Sequence, residues 1–318
     1  MINFLIFAYT FLFLILTCNL QSSEYRAKLI KIIEKNDVGN KLSVPSVVFF
    51  NNTDQQLYII DASKARCIIY NMSLFPFFSI GKGRGVIKPV DVTTNSEDFI
   101  YVLQSKEIGK RNFPIITVFS PSWFKVKDIL INDFKKASEF YPKSVAVSRS
   151  QKIYIVGNGV KGVIVLNKNG NYIKTIEIKD SINKNSEKKL VNFSDIFIDE
   201  SGRIYILSEE AGKTYVLSSK EKILFKAGTK GGTPGKLSRP RGIAVSSKQK
   251  LIFIVDYMRQ IVQVLNYNGE YLFEFGGYGE TPGFFNYPND IAVDNTGNVY
   301  VSDMFNRRVQ VFVIKKTP

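Results

Sequence analysis

The fold is decided by a segment that occurs twice near the C-terminus. Residues 287–312 read YPNDIAVDNTGNVYVSDMFNRRVQVF, and residues 239–264 read RPRGIAVSSKQKLIFIVDYMRQIVQV. Both copies contain a proline, an Ile-Ala-Val triplet, an aspartate and a Val-Gln-Val triplet in the same order, and Pro240 and Pro288 are 48 residues apart. A fixed period of this size is typical of solenoids, propellers and repeat arrays, so the repeat guides the interpretation of the whole chain.

Each copy has the pattern of short strands. The Ile-Ala-Val, Val-Tyr-Val-Ser and Val-Gln-Val-Phe segments are rich in β-branched and aromatic residues and are separated by Gly, Pro, Asn and Asp. Asn268-Gly269 lies between two apolar runs, which is a strong hairpin signal and predicts a fourth strand over 270–275. Four antiparallel strands in a repeat of this length form one blade of a β-propeller.

The segment 287–312 resembles the NHL repeat. The resemblance rests on its Pro-x-x-Ile-Ala-Val-Asp opening, on Asp303 at the end of the second strand and on Arg308 at the start of the third. It implies that Asp303 and Arg308 form a structural contact within their blade. The same contact is expected between Asp61 and Arg66.

Six positions repeat the opening of a blade. They are Pro45, Pro89, Pro142, Phe193, Pro240 and Pro288. The last copy ends after its third strand, whereas a strand-like segment, residues 28–34, stands near the N-terminus. We therefore predict an all-β, six-bladed β-propeller over residues 25–316, made of four-stranded antiparallel blades and closed by an N-terminal strand beside residues 309–314. Closure removes the unpaired edge of an open array.

The first 20 residues carry no charged side chain, and residues 4–16 form an apolar run that is typical of a secretory signal peptide. No basic residue precedes the run, and Arg26 and Lys28 follow it, a distribution that favours a retained membrane anchor. Cys18 and its neighbours resemble a lipoprotein cleavage box. We therefore predict that residues 1–20 are a signal peptide or a membrane or lipid anchor, and that the protein is exported to the periplasm, the extracellular space or a membrane surface.

The chain contains no histidine, which excludes several classes of active site. A Ser-His-Asp triad, a zinc held by His and a haem held by a protein His are all ruled out. Of the two cysteines, Cys67 alone would remain after removal of the N-terminal segment, so neither an intramolecular disulfide nor a cysteine zinc cluster is expected. We predict a protein without a cofactor that is not an enzyme.

Three aspartates form the single candidate metal site of the sequence. Asp91, Asp195 and Asp290 each stand two residues after the opening position of blades 2, 4 and 6. The ring would direct them towards the mouth of the central channel, where their oxygens would suit Ca²⁺ or Mg²⁺. The alternative interpretation, which we favour, is that each carboxylate accepts hydrogen bonds from backbone N–H groups of its own turn.

The candidate binding residues lie in loops that share one face of the predicted ring. Loops that open each blade and loops that join its second and third strands emerge on the same side. The candidates on these loops are Arg84, Lys143, Arg241, Tyr257, Arg259, Tyr287, Asn289 and Arg307. Arginine and aromatic side chains are enriched in interfaces. Alternatively, the aromatic rings pack between blades and the charges form an ordinary solvated surface.

A net charge of +15 favours association with negatively charged partners. We predict a monomeric, non-catalytic binding or scaffold propeller outside the cytoplasm, which contacts a protein, an anionic surface or a glycan through its basic, aromatic-rich face and is associated with a membrane through its N-terminus where that segment is retained.

Two alternatives stay open. One is an RNA-binding propeller, as in some eukaryotic NHL proteins, which the apolar N-terminus disfavours. The other is a metal-dependent hydrolase or lyase that uses the three aspartates. Propellers host many functions, so the fold alone does not choose between them.

Overall fold

The computed structural model describes residues 25–109, 111–182 and 187–316. These residues form a ring of six four-stranded antiparallel sheets, numbered here as blades 1 to 6 in chain order. The strands of blades 1 and 2 are Pro45–Asn51, Gln56–Asp61, Arg66–Tyr70, Pro76–Ile80, and Pro89–Thr94, Ile100–Ile108, Arg111–Phe119, Lys125–Leu130. Those of blades 3 and 4 are Tyr141–Val147, Ile153–Asn158, Val163–Leu166, Tyr172–Ile176, and Asp195–Ile198, Ile204–Ser208, Lys213–Leu217, Ile223–Ala227. Those of blades 5 and 6 are Pro240–Ser246, Leu251–Asp256, Ile261–Asn266, Tyr271–Gly276, and Pro288–Val293, Asn298–Asp303, Arg308–Lys316, Tyr25–Ile33.

Few other elements occur in the described residues. The short helix Ala62–Lys64 lies between the second and third strands of blade 1. Two further single-turn 3₁₀ helices and one two-stranded ribbon lie between blades: Lys82–Arg84, Ala137–Glu139, and Lys179–Asp180 paired with Lys189–Leu190. A helix with the length and apolarity needed to cross a membrane is absent from the described part of the chain. The predicted signal peptide or anchor, residues 1–20, lies outside that part.

The predicted closure of the ring is confirmed. Tyr25–Ile33 pairs antiparallel with Arg308–Lys316, with Lys28 opposite Val313 and Ile33 opposite Val309. Blade 6 therefore takes its outermost strand from the N-terminal end of the described chain and its other three strands from the C-terminal end. The predicted strand, 28–34, is correct in place and partner, and the observed strand begins three residues earlier and ends one residue sooner.

The hydrophobic core is divided among the interfaces between neighbouring blades. Successive side chains of a strand point to opposite faces, so one strand serves two interfaces. In blade 4, Ile204 and Ile206 pack in the interface with blade 3, whereas Tyr205 and Leu207 pack in the interface with blade 5. Each fully buried aliphatic side chain of this kind contributes about 1.5–3 kcal/mol. The same arrangement recurs at all six interfaces of the ring.

The two faces of the ring differ in the loops that they carry. The upper face, as we name it, carries the segments that lead into each blade and the loops that join the second strand to the third. The lower face carries the turns between first and second strands, such as residues 148–152 of blade 3. Five of the eight candidate binding residues belong to these upper-face segments and loops, whereas Lys143, Arg241 and Asn289 lie near the start of the first strands of blades 3, 5 and 6.

The contacts implied by the NHL resemblance are present. Arg66 pairs with Asp61 at 2.8 Å, and Arg308 pairs with Asp303 at 2.7 Å. Burial raises the pKa of Asp303, while its hydrogen bonds with Asn286, Asn306 and Arg308 act in the opposite direction. Arg308 also donates to two backbone carbonyls of the segment that leads into blade 6, so it ties that segment to the third strand.

Replacement of Arg308 by alanine should destabilise the protein by about 3–5 kcal/mol, because it leaves the carboxylate of Asp303 buried without its cation. Its neighbour Arg307 is exposed and supplies the matched control. Arg307→Ala should change the free energy of unfolding by no more than about 0.5 kcal/mol. Urea unfolding of the two variants measures the difference, and equal losses would show that the Asp303 pair has no special structural role.

Candidate functional site

Three aspartates connect neighbouring blades at the central channel. Each lies near the start of the first strand of its blade and accepts a hydrogen bond from a backbone N–H of the next blade. These bonds join Asp91 to Val145 (2.7 Å), Asp195 to Ile243 (2.8 Å) and Asp290 to Val48 (2.9 Å). The aspartates of blades 2, 4 and 6 thus tie those blades to blades 3, 5 and 1.

The same carboxylates are also bound within their own blades. Asp91 accepts from the N–H of Val92 at 2.8 Å, and Asp195 accepts from the N–H of Ile196 at 2.8 Å. This is the local turn contact that the sequence favours for these positions. The bond to the next blade was not predicted, because it depends on a neighbour that is 54 residues away in sequence for Asp91, 48 for Asp195 and 242 for Asp290.

In the other three blades the equivalent residues are Val47, Ser144 and Gly242. Gly242 is required by the close approach of blade 6, since a Cβ atom there would lie 2.8 Å from the Cα of Asp290 and 2.9 Å from its Oδ1. Ser144 accepts weakly from the N–H of Ile196, at 3.4 Å. The strong connections therefore alternate round the ring.

The three carboxylates influence one another. Burial raises the pKa of Asp91 to about 7, and the negative charge of Asp195 adds to this effect. Burial also raises the pKa of Asp195. The pKa of Asp290 is raised well above its ordinary value by burial and by the charges of the other two aspartates. Backbone hydrogen bonds favour the charged form of each group and oppose these shifts.

No cluster of three or more Asp, Glu, Cys or His side chains within the described residues is arranged to hold a metal ion. The backbone hydrogen bonds account for the placement of the three aspartates. A metal site at Asp91, Asp195 and Asp290 stays a prediction that ion-binding measurements must decide.

Above the aspartates, the channel opens into a cavity of about 240 Å³ at the upper face. Asp91, Asp195 and Asp290 form its floor, and Lys143, Glu209, Arg241 and Asn289 line it. Arg241 donates to Oδ1 of Asn289 at 3.1 Å, and Asn289 donates to the carbonyl of Ser46 at 2.7 Å. The amide of Asn289 in blade 6 therefore links the guanidinium of blade 5 to the backbone of blade 1.

A row of aromatic rings extends from Arg241 along the upper face. The guanidinium of Arg241 lies 4.1 Å from the ring centroid of Tyr257. Tyr257 lies 4.8 Å from Tyr287, which in turn makes an edge contact with Phe305 at 5.3 Å. Phe305 is 54% exposed, so the row ends in solvent. The structure thus brings together four of the candidate binding residues, Arg241, Tyr257, Tyr287 and Asn289.

The remaining candidates have different environments. Lys143 lines the mouth cavity, where burial lowers its pKa and the positive charges of Arg241 and Arg239 lower it further, against the effect of Glu209. Arg84 is exposed on the short helix Lys82–Arg84, outside the mouth cavity. Arg307 is exposed in a loop of blade 6.

Arg259 has a structural role that the sequence does not indicate. Its side chain is 11% exposed and forms a two-pronged ion pair with Glu274, at 2.9 and 2.6 Å. It also donates to the carbonyls of Gly232 and Lys236, which fixes the segment leading into blade 5. The hydrogen bonds of its guanidinium are therefore made with groups of the protein itself.

Glu209 is the residue that sequence reasoning missed. It forms salt bridges with Arg239 and Arg241, and its negative charge acts to raise the pKa of Lys143. A search for basic and aromatic residues overlooks a carboxylate. Its position, directly after the second strand of blade 4, nevertheless places it in an upper-face loop and could have revealed it.

Comparison with known families agrees with the repeat pattern. Residues 285–312 match the NHL repeat. Together with the six-bladed ring, the match supports an NHL-repeat propeller. By sequence, the chain matches none of the curated proteins.

Several solved structures share the fold. A protein of unknown function from Bacteroides thetaiotaomicron VPI-5482 is similar with a TM-score of 0.67 and 12% identity, over 92% of this chain and 76% of that one. An auxiliary nutrient binding protein from Bacteroides ovatus ATCC 8483 gives 0.64 and 14%, over 92% and 77%. Virginiamycin B lyase from Staphylococcus aureus gives 0.60 and 10%, over 91% and 99%. At these identities the likeness shows the fold alone.

The raised pKa of Asp91 predicts a specific pH dependence of stability. A carboxyl whose pKa rises from 3.8 to about 7 on folding binds a proton more tightly in the folded state. Its contribution to the free energy of unfolding is therefore full below pH 4 and is lost as the pH rises towards 7. Asp91→Asn removes this titration. The difference in unfolding free energy between the wild type and the variant should therefore be largest near pH 4 and should shrink towards pH 7.

Urea titrations at several pH values test this dependence, and the same exchange at exposed Asp133 controls for the loss of one negative charge. A difference that grows as the pH rises would show that the ionised carboxylate is the stabilising form, contrary to the prediction.

Proposed function

We propose that this propeller is a non-catalytic binding protein that holds an anionic partner at its upper face. The observation that carries the proposal is the row formed by Arg241, Tyr257 and Tyr287 beside the open mouth of the channel. A guanidinium fixed over a ring, next to further exposed aromatic surface, is the arrangement that interfaces use most often as an anchor.

The charge balance of the mouth favours an anion. At its rim, three cations, Lys143, Arg239 and Arg241, surround one carboxylate, that of Glu209. The three aspartates lie on its floor, where burial raises their pKa values and so favours their neutral forms. Glu209 holds the two arginines in place without neutralising the group. The lowered pKa of Lys143 reflects its burial and the repulsion from neighbouring cations. A bound negative group would relieve that repulsion, whereas a cation would increase it.

Binding is favoured over catalysis on chemical grounds. The chain has no histidine, and the three buried aspartates of the channel are engaged by backbone N–H groups. An auxiliary nutrient binding protein shares the fold, which supports a binding role, although the lyase shares the same fold at 10% identity. The chemistry of the mouth therefore carries the proposal.

The location outside the cytoplasm is part of the same proposal. It rests on the apolar run at residues 4–16, which we assign to a signal peptide or anchor within residues 1–20. An anionic membrane surface, a glycan or an acidic protein would each be available in that compartment.

Heparin, a sulfated glycan, is a suitable probe of the upper face of the full-length chain. Arg241→Gln and Tyr257→Ala should each weaken heparin binding by about tenfold at moderate salt, because each removes part of the anchor. Arg149→Gln makes the same change of charge in an exposed turn of the lower face and should have an effect of less than about twofold. Isothermal titration at two salt concentrations measures these affinities.

Equal effects of Arg149→Gln and Arg241→Gln would mean that only diffuse charge attracts the glycan, and would refute the proposal. A parallel titration with single-stranded RNA addresses the nucleic-acid alternative. RNA binding that is stronger than heparin binding and is abolished by Tyr257→Ala would favour that alternative instead.

A further inference from the structure

A second cavity of the upper face lies between blades 2 and 3. Its volume is about 870 Å³, compared with about 240 Å³ for the mouth of the channel. Ligand sites of small molecules range over roughly 300–1,000 Å³. This cavity therefore has room for an organic molecule of moderate size, and none of the candidate binding residues belongs to its lining.

The cavity exists because blade 2 is built differently from the other blades. Its second strand, Ile100–Ile108, has nine residues, whereas the second strands of the other blades have five or six. Pairing with Arg111–Phe119 continues to the tip of the hairpin, where Ile108 lies opposite Arg111. Together, the long hairpin and the connection to blade 3, residues 131–140, form the walls of the cavity.

Aromatic rings provide the apolar part of the walls. Phe113 belongs to the hairpin, and Phe134, Phe140 and Tyr141 belong to the connection and to the start of blade 3. Phe134 contacts Phe140 edge-on at 5.5 Å and stacks on Tyr172 at 5.9 Å, so its ring is held from two sides. A preformed aromatic wall costs little to order on binding and offers stacking surface to a planar or acyl group.

The charged groups of the cavity are positive. Arg111 and Lys136 line it, and no Asp or Glu does so among the described residues. Arg111 is exposed and forms no salt bridge within the described chain. Lys136 lies 3.9 Å from Glu139, with both side chains more than half exposed, at 59% and 58%. Such a pair contributes little, so both cations are available to a ligand.

The cavity inside the channel has the opposite character. Its volume is about 460 Å³, and its lining includes the carboxylates of Asp91, Asp195, Asp199, Glu200, Asp290 and Asp294. An anion would be repelled there, whereas between blades 2 and 3 it would meet two cations and no carboxylate.

We propose that the cavity between blades 2 and 3 binds a small organic anion that carries an aromatic or other apolar body. Arg111 and Lys136 bind the negative group, and Phe113, Phe134 and Phe140 contact the body. This site is separate from the proposed partner site at Arg241 and Tyr257, and either can exist without the other.

Anilinonaphthalene sulfonate tests the site, because it combines an aromatic body with one negative charge, and N-phenylnaphthylamine is its uncharged counterpart. The full-length chain should bind the sulfonate saturably at one site, with enhanced fluorescence. Arg111→Gln combined with Lys136→Gln should lower its affinity by about tenfold, since both cations are lost. The affinity for the uncharged probe should change by less than about twofold, because the aromatic wall is intact.

Controls separate this site from the rest of the face. Arg84→Gln removes an exposed upper-face cation outside the cavity and should leave both affinities unchanged. Arg241→Gln should also leave sulfonate binding unchanged, whatever its effect on heparin. Phe134→Leu should weaken both probes, and urea unfolding confirms that each variant is folded.

Three results would each overturn the proposal. They are the absence of saturable sulfonate binding, an unchanged affinity in the double variant, and an equal loss for the charged and uncharged probes. The last would show that the cavity does not recognise the negative group.

Discussion

The pairing of Tyr25–Ile33 with Arg308–Lys316 is the interaction on which the ring depends. It pairs the backbone N–H and C=O groups at the outer edge of the third strand of blade 6, which would otherwise be exposed. Side chains of the same strand also complete two interfaces, because a register shift between Leu29 and Lys31 reverses which face the later residues share. Leu29 packs between blades 5 and 6, whereas Ile33 packs between blades 6 and 1. Because the two paired strands lie at opposite ends of the described chain, this contact carries the largest loop-closure cost of the fold.

The aspartates secure the inner side of the ring. At the seam between blades 6 and 1, Asp290 accepts from the N–H of Val48 and Asn289 donates to the carbonyl of Ser46. The seam is thus closed by strand pairing at the outside and by side-chain hydrogen bonds at the axis. These bonds require carboxylates at the axis, where burial and, to a lesser extent, their mutual repulsion raise the pKa of Asp91 and Asp290. The hydrogen bonds fix neighbouring blades relative to each other, but removing the carboxylates from water costs free energy.

The sequence predicts those parts of the protein that repeat. Blade openings recur at a regular spacing, so the number of blades, the closing strand and the pair Asp303–Arg308 follow from the pattern. Features that depend on side-chain contacts outside the repeated motif were missed. Glu209 joins the basic mouth through arginines of another blade, and Arg259 is occupied by Glu274 of the fourth strand. The cavity beside Phe134 arises from the length of one hairpin, which no repeat specifies.

The net charge of the protein attracts anions from a distance, whereas binding at a defined site depends on a few short contacts. A net charge of +15 draws anions towards the whole molecule, but this effect is screened beyond about 10 Å at moderate salt. Contacts that persist at such salt must be short and partly desolvated. Arg241 over Tyr257 meets this requirement at the mouth of the channel. Arg111 and Lys136 are exposed, so between blades 2 and 3 the bound ligand itself would have to exclude water from them. The channel below the mouth has an acidic lining, which disfavours an anion deeper along the axis of the ring.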